Sequence, residues 1–512
     1  MTDAAKLAES LRATRAAGTR IALCHGVFDL LHPGHLRHLA RARELADLLI
    51  VSITADAFVT KGPGRPAFAE DLRAESLAAL RVVDHVVITR DATALPTIDA
   101  LAPDLYVKGS DYLDPQSDPT GNIARERALV ERHGGQVVFT DERVFSSSTL
   151  INQFLPTLPP HAREYIASLK HRFSADEVTS WLDKLAKVEV TVVGESIIDA
   201  YTDCEVLGKA SKDPVLCLRR GQVTSHAGGA LAIAAHCRGL GAVTHLVTAF
   251  NARDARTHPI AQLASLGVEL HWCDTDPRPT IRKERLVDER TQARVMELYE
   301  MDDSPLPPAV ADAFTALLGH TARDGRHADA RQVTIVADYG HGLLDDAAIE
   351  RLSSTSTFLA VNTQANAGNR GLNSLSKYSR ADYVTLNGAE ARIELRRRHV
   401  ELVDAVPEIL TRLGAGRALV TVGAAGLDLY TSAAAAGSIV SHAPALTPHV
   451  KDRVGAGDAV LAVTAMLAAL DAPPEIIAFC GAVVGAWAVG FTGNEQTLTH
   501  GVLSRHVASL LK

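Results

Sequence analysis

Short apolar runs alternate with helical stretches along most of this 512-residue chain, and this alternation limits the fold more than any other feature. Runs rich in valine and isoleucine include RIALCHGVF, LLIVSIT, HVVITR, DLYVKG and QVVFTD. Stretches with helical spacing, such as HLRHLARARELA, lie between them. Because each strand is followed by a helix, the pattern predicts a parallel, doubly wound α/β sheet.

The alternation is interrupted over residues 154–165, where FLPTLPPHAREY contains three prolines. A capping box follows, with Ser174 as the predicted N-cap and Glu177 three residues on. The strand VEVTVVGE then begins a second α/β series that shares no period with the first. Since the chain is too long for one ordinary core, we expect a first domain over 1–155, a linker with helices over 156–187 and a second domain over 188–512.

Charge and cysteine content exclude several functional classes. The 52 basic and 60 acidic residues are dispersed and give a net charge of -8, which does not favour binding to nucleic acid or a membrane surface. The six cysteines form no CxxC pair and no zinc-like spacing, and are interpreted as core residues in a reducing compartment. Residues 476–491 are apolar but short and contain three glycines, so they predict a buried helix. The first 20 residues lack an apolar signal core, and we expect a cytoplasmic protein.

The stretch GVFDLLHPGHLRHL places two histidines where a predicted strand becomes a helix. His32 and His35 lie three residues apart, on one face of the first helical turn, and Gly34 allows close approach of the backbone. A helix N-terminus offers unpaired N–H groups and the positive end of the helix dipole, which suits phosphate. The pattern predicts a triphosphate site in which imidazoles stabilise charge on the α-phosphate. Two ordinary polar histidines beside a turn are the alternative.

Further stretches accompany this motif in a fixed order, namely TKGPGRP, RAESLAALRVVDHVV, DLYVKGSDY and FSSSTLI. With them, the chain over about residues 20–155 resembles the Rossmann-like HxGH nucleotidyltransferase superfamily, which includes cytidylyltransferases and sugar-phosphate adenylyltransferases. The resemblance implies catalytic roles for His32, His35 and Lys61, and a magnesium–triphosphate role for Asp29. It further implies nucleotide or phosphate contacts for Phe28, Gly34, Arg65, Lys108, Asp111, Ser147 and Ser148.

In that chemistry the nucleophile is a phosphate oxygen that is already anionic, so catalysis needs positioning and charge stabilisation rather than a general base. Two of the implied residues have ordinary alternatives. Lys61 is also explained as an exposed loop charge, and Asp111 as a residue that holds a turn.

The stretch KDRVGAGDAV carries the second strong pattern. Gly455, Ala456 and Gly457 form a turn without large side chains before an apolar helix, and their backbone N–H groups suit a transferring phosphoryl group. Asp458 lies in the first turn, placed to accept a proton. A sugar hydroxyl is a poor nucleophile, so a kinase needs such a base. A glycine-rich turn with an acidic first helical turn is the structural alternative.

Companion motifs indicate which kinases this half is similar to: VVGESIID, HAGGA, DPRPTIRKERLV, VTLNGAEA and TVGAAGLDLY. In this order they resemble the ribokinase-like (PfkB-type) sugar kinases over nearly all of the second half. The resemblance implies sugar contacts for Asp199, Gly228 and Gly229. It places Asn387 and Glu390 near magnesium, with Glu390 as a metal ligand, and Gly423 and Gly426 at the ATP.

Two positions depart from that family's pattern. Ala232 stands where many relatives have an asparagine, and His341 replaces a lysine that follows the aspartate in sugar-phosphate kinases, here Asp338. The polar segment NTQANAGNRG, residues 362–371, is consistent either with a site lining or with a solvated loop.

Together the halves are similar to bifunctional heptose 7-phosphate kinase/heptose 1-phosphate adenylyltransferases, with the domain order reversed. That resemblance implies ATP and Mg²⁺, an ADP-heptose-like product and a homodimer. A second interpretation is a cytidylyltransferase that uses CTP and a polyol phosphate. A third is a second half that binds ligands or dimerises without catalysis.

Overall fold

The structure is a computed structural model that describes residues 4–16, 18–59, 65–109, 122–140, 158–321, 330–369, 371–433 and 439–511. It divides into two compact units, Met1–Pro159 with Ser504–Lys512, and Pro160–Leu503. The helices expected in the linker therefore belong to the second unit from residue 160 onwards.

The described part of the first unit contains a five-stranded parallel sheet in the order β3-β2-β1-β4-β5. Its strands are β1 (Ile21–Gly26), β2 (Leu48–Thr54), β3 (His85–Thr89), β4 (Leu105–Gly109) and β5 (Gln136–Thr140). The helices are α1 (Ala4–Ser10), α2 (Arg12–Ala16), α3 (Pro33–Glu44), α4 (Glu70–Ala78), α5 (Leu95–Leu101) and α6 (Asn122–Arg132). Buried apolar clusters cover both faces of the sheet, which explains the near-continuous apolar runs of its central strands.

The strand order reverses between β1 and β4, because the chain first adds β2 and β3 on one side of β1 and then places β4 on the other. Ligands in open α/β sheets bind outside the carboxyl ends of the strands at such a switch point. The HPGH turn directly follows β1, so the topology brings it to this place.

The second unit contains a nine-stranded sheet, in the order β10-β9-β6-β13-β14-β15-β16-β17-β18, among its described residues. Its strands are β6 (Val188–Gly194), β9 (Val243–Phe250), β10 (Glu269–Asp274), β13 (Arg331–Asp338), β14 (Leu359–Thr363), β15 (Tyr383–Asn387), β16 (Arg417–Thr421), β17 (Leu427–Thr431) and β18 (Ile439–Ala443). Neighbouring strands are parallel from β10 to β16, and the last two are antiparallel.

A smaller sheet in the same unit has the order β12-β11-β7-β8. It consists of β7 (Ser196–Lys209), β8 (Leu216–Gly229), β11 (Ile281–Asp288) and β12 (Arg294–Glu300). Because β7 pairs in parallel with β11, residue 199 lies opposite residue 283.

The helices of the second unit are α7 (Pro160–Lys170), α8 (Ala175–Asp183), α9 (Ala230–Gly239), α10 (His258–Leu266), α11 (Pro308–Thr321), α12 (Asp346–Thr355), α13 (Gly388–Glu394), α14 (Leu402–Leu413), α15 (Ala456–Ala469) and α16 (Pro474–Ala488). The last helix, α17 (His500–Leu511), begins in this unit, and its residues from 504 onwards belong to the first.

The predicted α/β class is confirmed in both units. The capping box at Ser174 and Glu177 is present. Within the described residues no helix is long and apolar enough to cross a membrane, and α16 is almost entirely buried.

The interpretation of the cysteines as core residues holds fully for four of the six and in part for Cys273, which packs against a core cluster. All six are free thiols, and Cys24, Cys204, Cys237 and Cys480 are buried. Cys217 and Cys273 are only half-buried because β8 and β10, which carry them, are edge strands of their sheets.

Candidate active sites

The first candidate site surrounds the turn between β1 and α3. His32 is the N-cap of α3, and its Nδ1 accepts a 3.1 Å hydrogen bond from the backbone N–H of Gly34. Pro33 occupies the first helical position, where its missing N–H has no cost. The two predicted imidazoles lie together, since the rings of His32 and His35 stack at 3.9 Å between centroids.

Phe28 supports this histidine pair from the preceding loop. Its φ of 49° lies in the left-handed region, which costs a residue other than glycine about 1–2 kcal/mol. This backbone conformation places the ring 5.1 Å from that of His35. Phe28 therefore contacts a predicted catalytic side chain and positions it.

Asp29 and Arg65 form an ion pair of 3.1 Å, and both side chains are almost completely buried. Oδ1 of Asp29 also accepts hydrogen bonds from the N–H groups of Ala67 and Phe68, at 2.7 and 3.2 Å. Burial lowers the pKa of the Arg65 guanidinium, and the partner carboxylate opposes this effect. Asp29 thus holds the segment that begins at Arg65 against the end of β1.

Lys108 lies at the end of β4, on the other side of the switch point. It is buried, 3.5 Å from Oε2 of Glu126, which also accepts a 2.9 Å hydrogen bond from the Tyr106 hydroxyl. Burial and then the charge of Lys108 lower the pKa of His25 to about 3 and that of His38 to about 4. The two imidazoles are therefore neutral at pH 7, and Lys108 supplies the positive charge.

Four residues that the sequence assigns to this site, Lys61, Asp111, Ser147 and Ser148, lie outside the described residues. Phe28, Asp29, His32, Gly34, His35 and Arg65 come together at the turn after β1.

The second candidate site is built around the first turn of α15. Asp458 accepts a 2.7 Å hydrogen bond from the hydroxyl of Tyr339, which follows β13. Burial raises the pKa of Asp458 to about 7, an effect that Asp199 reinforces and that Tyr339 and Lys283 oppose. A carboxylate with this pKa is suited to accept a proton near neutral pH.

The glycine turn before Asp458 leaves open space beside the amino end of α15. Gly455 is the N-cap of α15, with a φ of 80°, and a Cβ there would lie 1.9 Å from Oδ1 of Asn494. A Cβ on Gly457 would meet nothing within 4 Å, so space is open beside the N–H groups of the first turn. Ala456 occupies the first helical position between them.

Asp199 lies on β7 and pairs with Arg285 of β11 at 2.6 Å. The backbone of β8 comes close to the Asp199 carboxylate at Gly228. Glycine is needed there, because a Cβ on Gly228 would lie 2.3 Å from Oδ2 of Asp199. Gly229 follows as the N-cap of α9, with a φ of 57°. Burial alone would lower the pKa of Arg285, but the charge of Asp199 raises it above its ordinary value.

Lys283, which the sequence did not single out, lies directly opposite Asp199 on β11. It is buried, its Nζ is 5.6 Å from the centroid of the Tyr339 ring, and burial lowers its pKa. Lys283 and Arg285 alternate with more exposed residues along β11, so both cations lie on the buried face of the small sheet.

Glu195 and Asp338 form an acidic pair at the ends of β6 and β13. Burial, and next the neighbouring Asp338, raise the pKa of Glu195 to about 7. Its two oxygens accept hydrogen bonds from the N–H groups of Tyr339 and His341, each 3.0 Å long. Asp338 accepts a bond from the Tyr378 hydroxyl and pairs with Lys377 at 2.5 Å.

The described part of segment 362–371 packs against the backbone at the end of β13. The side-chain amides of Asn366 and Asn369 donate to the carbonyl of Tyr339 at 2.8 and 2.9 Å. Asn373, two residues beyond the segment, donates to the carbonyl of Asp338. The asparagines therefore fix the backbone at Tyr339, whose hydroxyl donates to Asp458.

Asn387 and Glu390 form a capping box on α13. Oε2 of Glu390 accepts from the N–H of Asn387 at 2.7 Å, and Oε1 accepts from Ala365 at 3.2 Å. Gly423 and Gly426 lie in the turn between β16 and β17.

The two departures from the family pattern have different surroundings. Ala232 is buried in the first turn of α9. His341 is fully buried, and neither ring nitrogen has a hydrogen-bond partner among the described residues. Burial, then Lys283, lower its pKa to about 4, so a neutral imidazole replaces the ammonium group expected there.

The two carboxylates predicted to bind magnesium hold protein groups in this arrangement, and each can still offer a remaining lone pair to an ion. Every oxygen of Asp29 and of Glu390 already accepts a hydrogen bond from a protein group. Mg²⁺ commonly keeps several waters and binds through substrate phosphates. An ion that accompanies a triphosphate would therefore be held mainly by phosphate and water oxygens.

Comparison with known proteins gives two family matches. Residues 23–154 match the model for cytidylyltransferase-like proteins, and residues 187–499 match the model for pfkB family carbohydrate kinases. The second match covers more than half of the chain.

Curated relatives align with the N-terminal part. The chain is 42% identical over 142 residues to "Bifunctional protein HldE" of Syntrophotalea carbinolica, which is 27% of this chain and 28% of that protein. It is 45% identical over 133 residues to the protein of the same name from Pelobacter propionicus, 26% of each chain. The alignments thus span little more than a quarter of these relatives.

Among solved structures, a single-site mutant of phosphofructokinase-2 from Escherichia coli superposes with a TM-score of 0.50 at 16% identity. The superposition covers 64% of this chain and 99% of the kinase. At this identity the likeness shows the fold alone.

Proposed function

The chain belongs to the pfkB family of carbohydrate kinases, and from this premise we propose a bifunctional enzyme of nucleotide-sugar synthesis. One activity phosphorylates a sugar phosphate with ATP, and the other transfers a nucleotidyl group to a sugar 1-phosphate with release of pyrophosphate. One observation carries the proposal. Each unit has its own helix start suited to phosphate beside a parallel sheet, at His32–His35 in the first unit and at Gly455–Asp458 in the second.

In the kinase reaction, the γ-phosphoryl group of ATP lies at the open amino end of α15, and its oxygens accept from the N–H groups of the GAGD turn. Asp458 accepts the proton of the sugar hydroxyl as that oxygen attacks phosphorus. Tyr339 donates to Oδ1 of Asp458, which keeps the carboxylate oriented and opposes the effect of burial on its pKa. The hydrogen-bonded pair of Asp458 and Tyr339 therefore supports a catalytic second half over one that binds ligands without catalysis.

In the transferase reaction, a sugar 1-phosphate oxygen attacks the α-phosphorus of the nucleoside triphosphate. His32 and His35 donate hydrogen bonds to the oxygens that gain charge, and α3 directs the positive end of its dipole to the same place. Lys108 lies across the switch point and adds a fixed positive charge. No general base is required, because the attacking oxygen is already anionic.

The proposed kinase acceptor is a heptose 7-phosphate type of sugar, and the proposed final product is ADP-heptose-like. This specificity rests on the resemblance of the VKGSDY motif to the transferase half of heptose kinase/adenylyltransferases, and of the two halves together to those enzymes. Two buried cations at the small sheet, Lys283 and Arg285, are consistent with an acceptor that already carries a phosphate. ATP and Mg²⁺ are the proposed nucleotide and ion, and the cytoplasm is the proposed location.

A second candidate has its own support, since the family model for residues 23–154 is described as cytidylyltransferase-like. In that case CTP and a polyol phosphate replace ATP and heptose 1-phosphate. The kinase half would then supply the phosphate.

The proposed assembly is a homodimer through the small sheet. Large apolar side chains are exposed on this sheet and just before β8, namely Leu207, Val215, Leu216, Met296 and Leu298. Burial of such side chains against a second copy would remove apolar surface from water.

The test is pyrophosphate release with magnesium, in which ATP, CTP, GTP and UTP are offered in turn with heptose 1-phosphate or glycerol 3-phosphate. Release with ATP and heptose 1-phosphate supports the proposal. Release only with CTP, or only with glycerol 3-phosphate, replaces it by the second candidate. A parallel assay of ADP formation with heptose 7-phosphate tests the kinase half, and its absence across a panel of sugars would favour a non-catalytic module.

A further inference from the structure

Two histidines and two glutamates meet on one face of the nine-stranded sheet, at the end opposite to the catalytic groups. His245 is the third residue of β9, and Glu269 and His271 are the first and third residues of the edge strand β10. Since β9 and β10 are parallel with Glu269 opposite His245, the three side chains project to the same face. Their ligand atoms all lie within 4.8 Å of one another.

A carboxylate behind His245 sets the direction of its ring. Nε2 of His245 lies 3.1 Å from Oε1 of Glu189, a buried residue of β6. An ionised carboxylate only accepts hydrogen bonds, so Nε2 donates to Glu189 and Nδ1 is the nitrogen left to ligate a metal ion. Gln332 donates to the other oxygen of Glu189 at 2.7 Å and fixes the carboxylate in turn.

Nδ1 of His245 faces the cluster. Nδ1 lies 3.3 Å from Oε2 of Glu269 and, among the described residues, makes no hydrogen bond. Zinc bonds to nitrogen and oxygen of about 2.0–2.2 Å put two tetrahedral ligands about 3.4 Å apart. The separation of these two atoms therefore already suits a shared metal ion.

We propose that His245, Glu269 and His271 bind a divalent transition metal ion of the zinc class, with Glu189 as the partner that orients His245. Two imidazoles and one carboxylate form a donor set typical of zinc, and a carboxylate behind a ligating histidine is the usual outer support. Glu269 is about half exposed, at 45% of its side chain, which leaves an entry path and room for a water ligand.

The placement assigns the ion a structural role. Parallel strands of this sheet carry the kinase groups at their carboxyl ends, whereas His245 and His271 lie near the amino ends of β9 and β10. β10 pairs only with β9 among the described strands, so an ion that bridges the two holds the edge strand in register. The alternative is a protonated His245 that bridges Glu189 and Glu269 without metal.

The experiment uses the full chain without a histidine tag, stripped with chelator and dialysed against micromolar ZnCl₂, with elemental analysis of bound zinc. We expect one equivalent on the wild type and a visible absorption band of four-coordinate Co²⁺ when cobalt replaces zinc. His271→Ala is expected to lose the equivalent, and Glu269→Gln to weaken it at least tenfold. The matched control is His399→Ala at an exposed histidine, which is expected to keep full stoichiometry.

Zinc is also expected to raise the thermal unfolding midpoint of the wild type and of His399→Ala, but not of His271→Ala. If His271→Ala fails to fold, the partly exposed Glu269→Gln answers the question alone. Absence of stoichiometric zinc on the wild type, or equal zinc on wild type and His271→Ala, overturns the site in favour of the protonated-histidine alternative. Neither result depends on kinase or transferase turnover.

Discussion

Tyr339 donates its phenolic hydrogen to Oδ1 of Asp458 across 2.7 Å, and this bond joins the end of β13 to the first turn of α15. Burial alone would favour the protonated acid at position 458, whereas the Tyr339 hydrogen bond favours the carboxylate. The balance leaves the pKa of the proposed base at about 7.

Replacement of Tyr339 by phenylalanine is therefore expected to raise the pKa of Asp458. The base must be deprotonated to act, so the acid limb of the kinase pH–rate profile should move to higher pH, with a larger loss of kcat at about pH 6 than at about pH 8.5. Tyr430→Phe is the matched control, because that hydroxyl is buried with no hydrogen-bond partner among the described residues. A profile for Tyr339→Phe identical to that of the control would show that Tyr339 does not tune the base.

Asp458→Asn removes the proton acceptor and leaves the shape of the helix start unchanged. Loss of a general base typically reduces turnover by ~10²–10⁴-fold, and we expect a fall of this order in ADP formation. Pyrophosphate release should stay near the wild-type rate, because the transferase residues lie in the other unit. Unchanged kinase turnover would mean that Asp458 is not the base.

His35→Ala should affect the transferase reaction and spare the kinase reaction. Removal of one charge-stabilising donor from such a site costs ~10²–10³-fold in rate, so pyrophosphate release should fall accordingly while ADP formation persists. His133→Ala, at an exposed surface histidine of the same unit, is the control. An equal loss of both activities in a folded His35→Ala protein would contradict the assignment of two separate sites.

The two turns proposed to bind phosphate could be predicted from the sequence because each is local. His32, His35 and Gly34 fall within four consecutive positions, as do Gly455 and Asp458, so the motif already contains the geometry. The predicted α/β class followed from the alternation of elements. Neither inference required knowledge of how distant strands pair.

The groups that surround those turns could not be predicted in this way. Lys283 contributes because the register of β11 on β7 places it opposite Asp199, and Tyr339 reaches Asp458 across 119 residues of sequence. His245 and Glu269 are neighbours through the same kind of pairing. The alternation of Glu269 and His271 on one strand was the only local signal, and it does not identify the third ligand.

The buried ion pair between Asp29 and Arg65 predicts a large effect on stability. Asp29→Asn leaves the guanidinium buried without its counter-charge, which typically costs about 3–5 kcal/mol. The control is Glu44→Gln, because the Arg41–Glu44 pair is exposed, at 54% and 63% of the two side chains, and such pairs contribute at most about 1 kcal/mol. Hydrogen exchange of the β1 and β4 amides would report the first unit separately, and equal protection in both variants would exclude the structural role of Asp29.

Lys283 and Arg282 are adjacent on β11 but lie on opposite faces of the strand, so they form a matched pair for the acceptor site. Lys283 lies on the buried face opposite Asp199, and it interacts electrostatically with Asp199 and Asp458. Lys283→Ala is expected to raise the KM for a phosphorylated sugar by at least tenfold, with a smaller effect on an unphosphorylated sugar, because only the former brings an anion to this cation. Arg282→Ala should leave both values near those of the wild type. If the two variants have equal KM values, the buried face of β11 does not bind the acceptor phosphate, and the proposed sugar-phosphate specificity would need another source of positive charge.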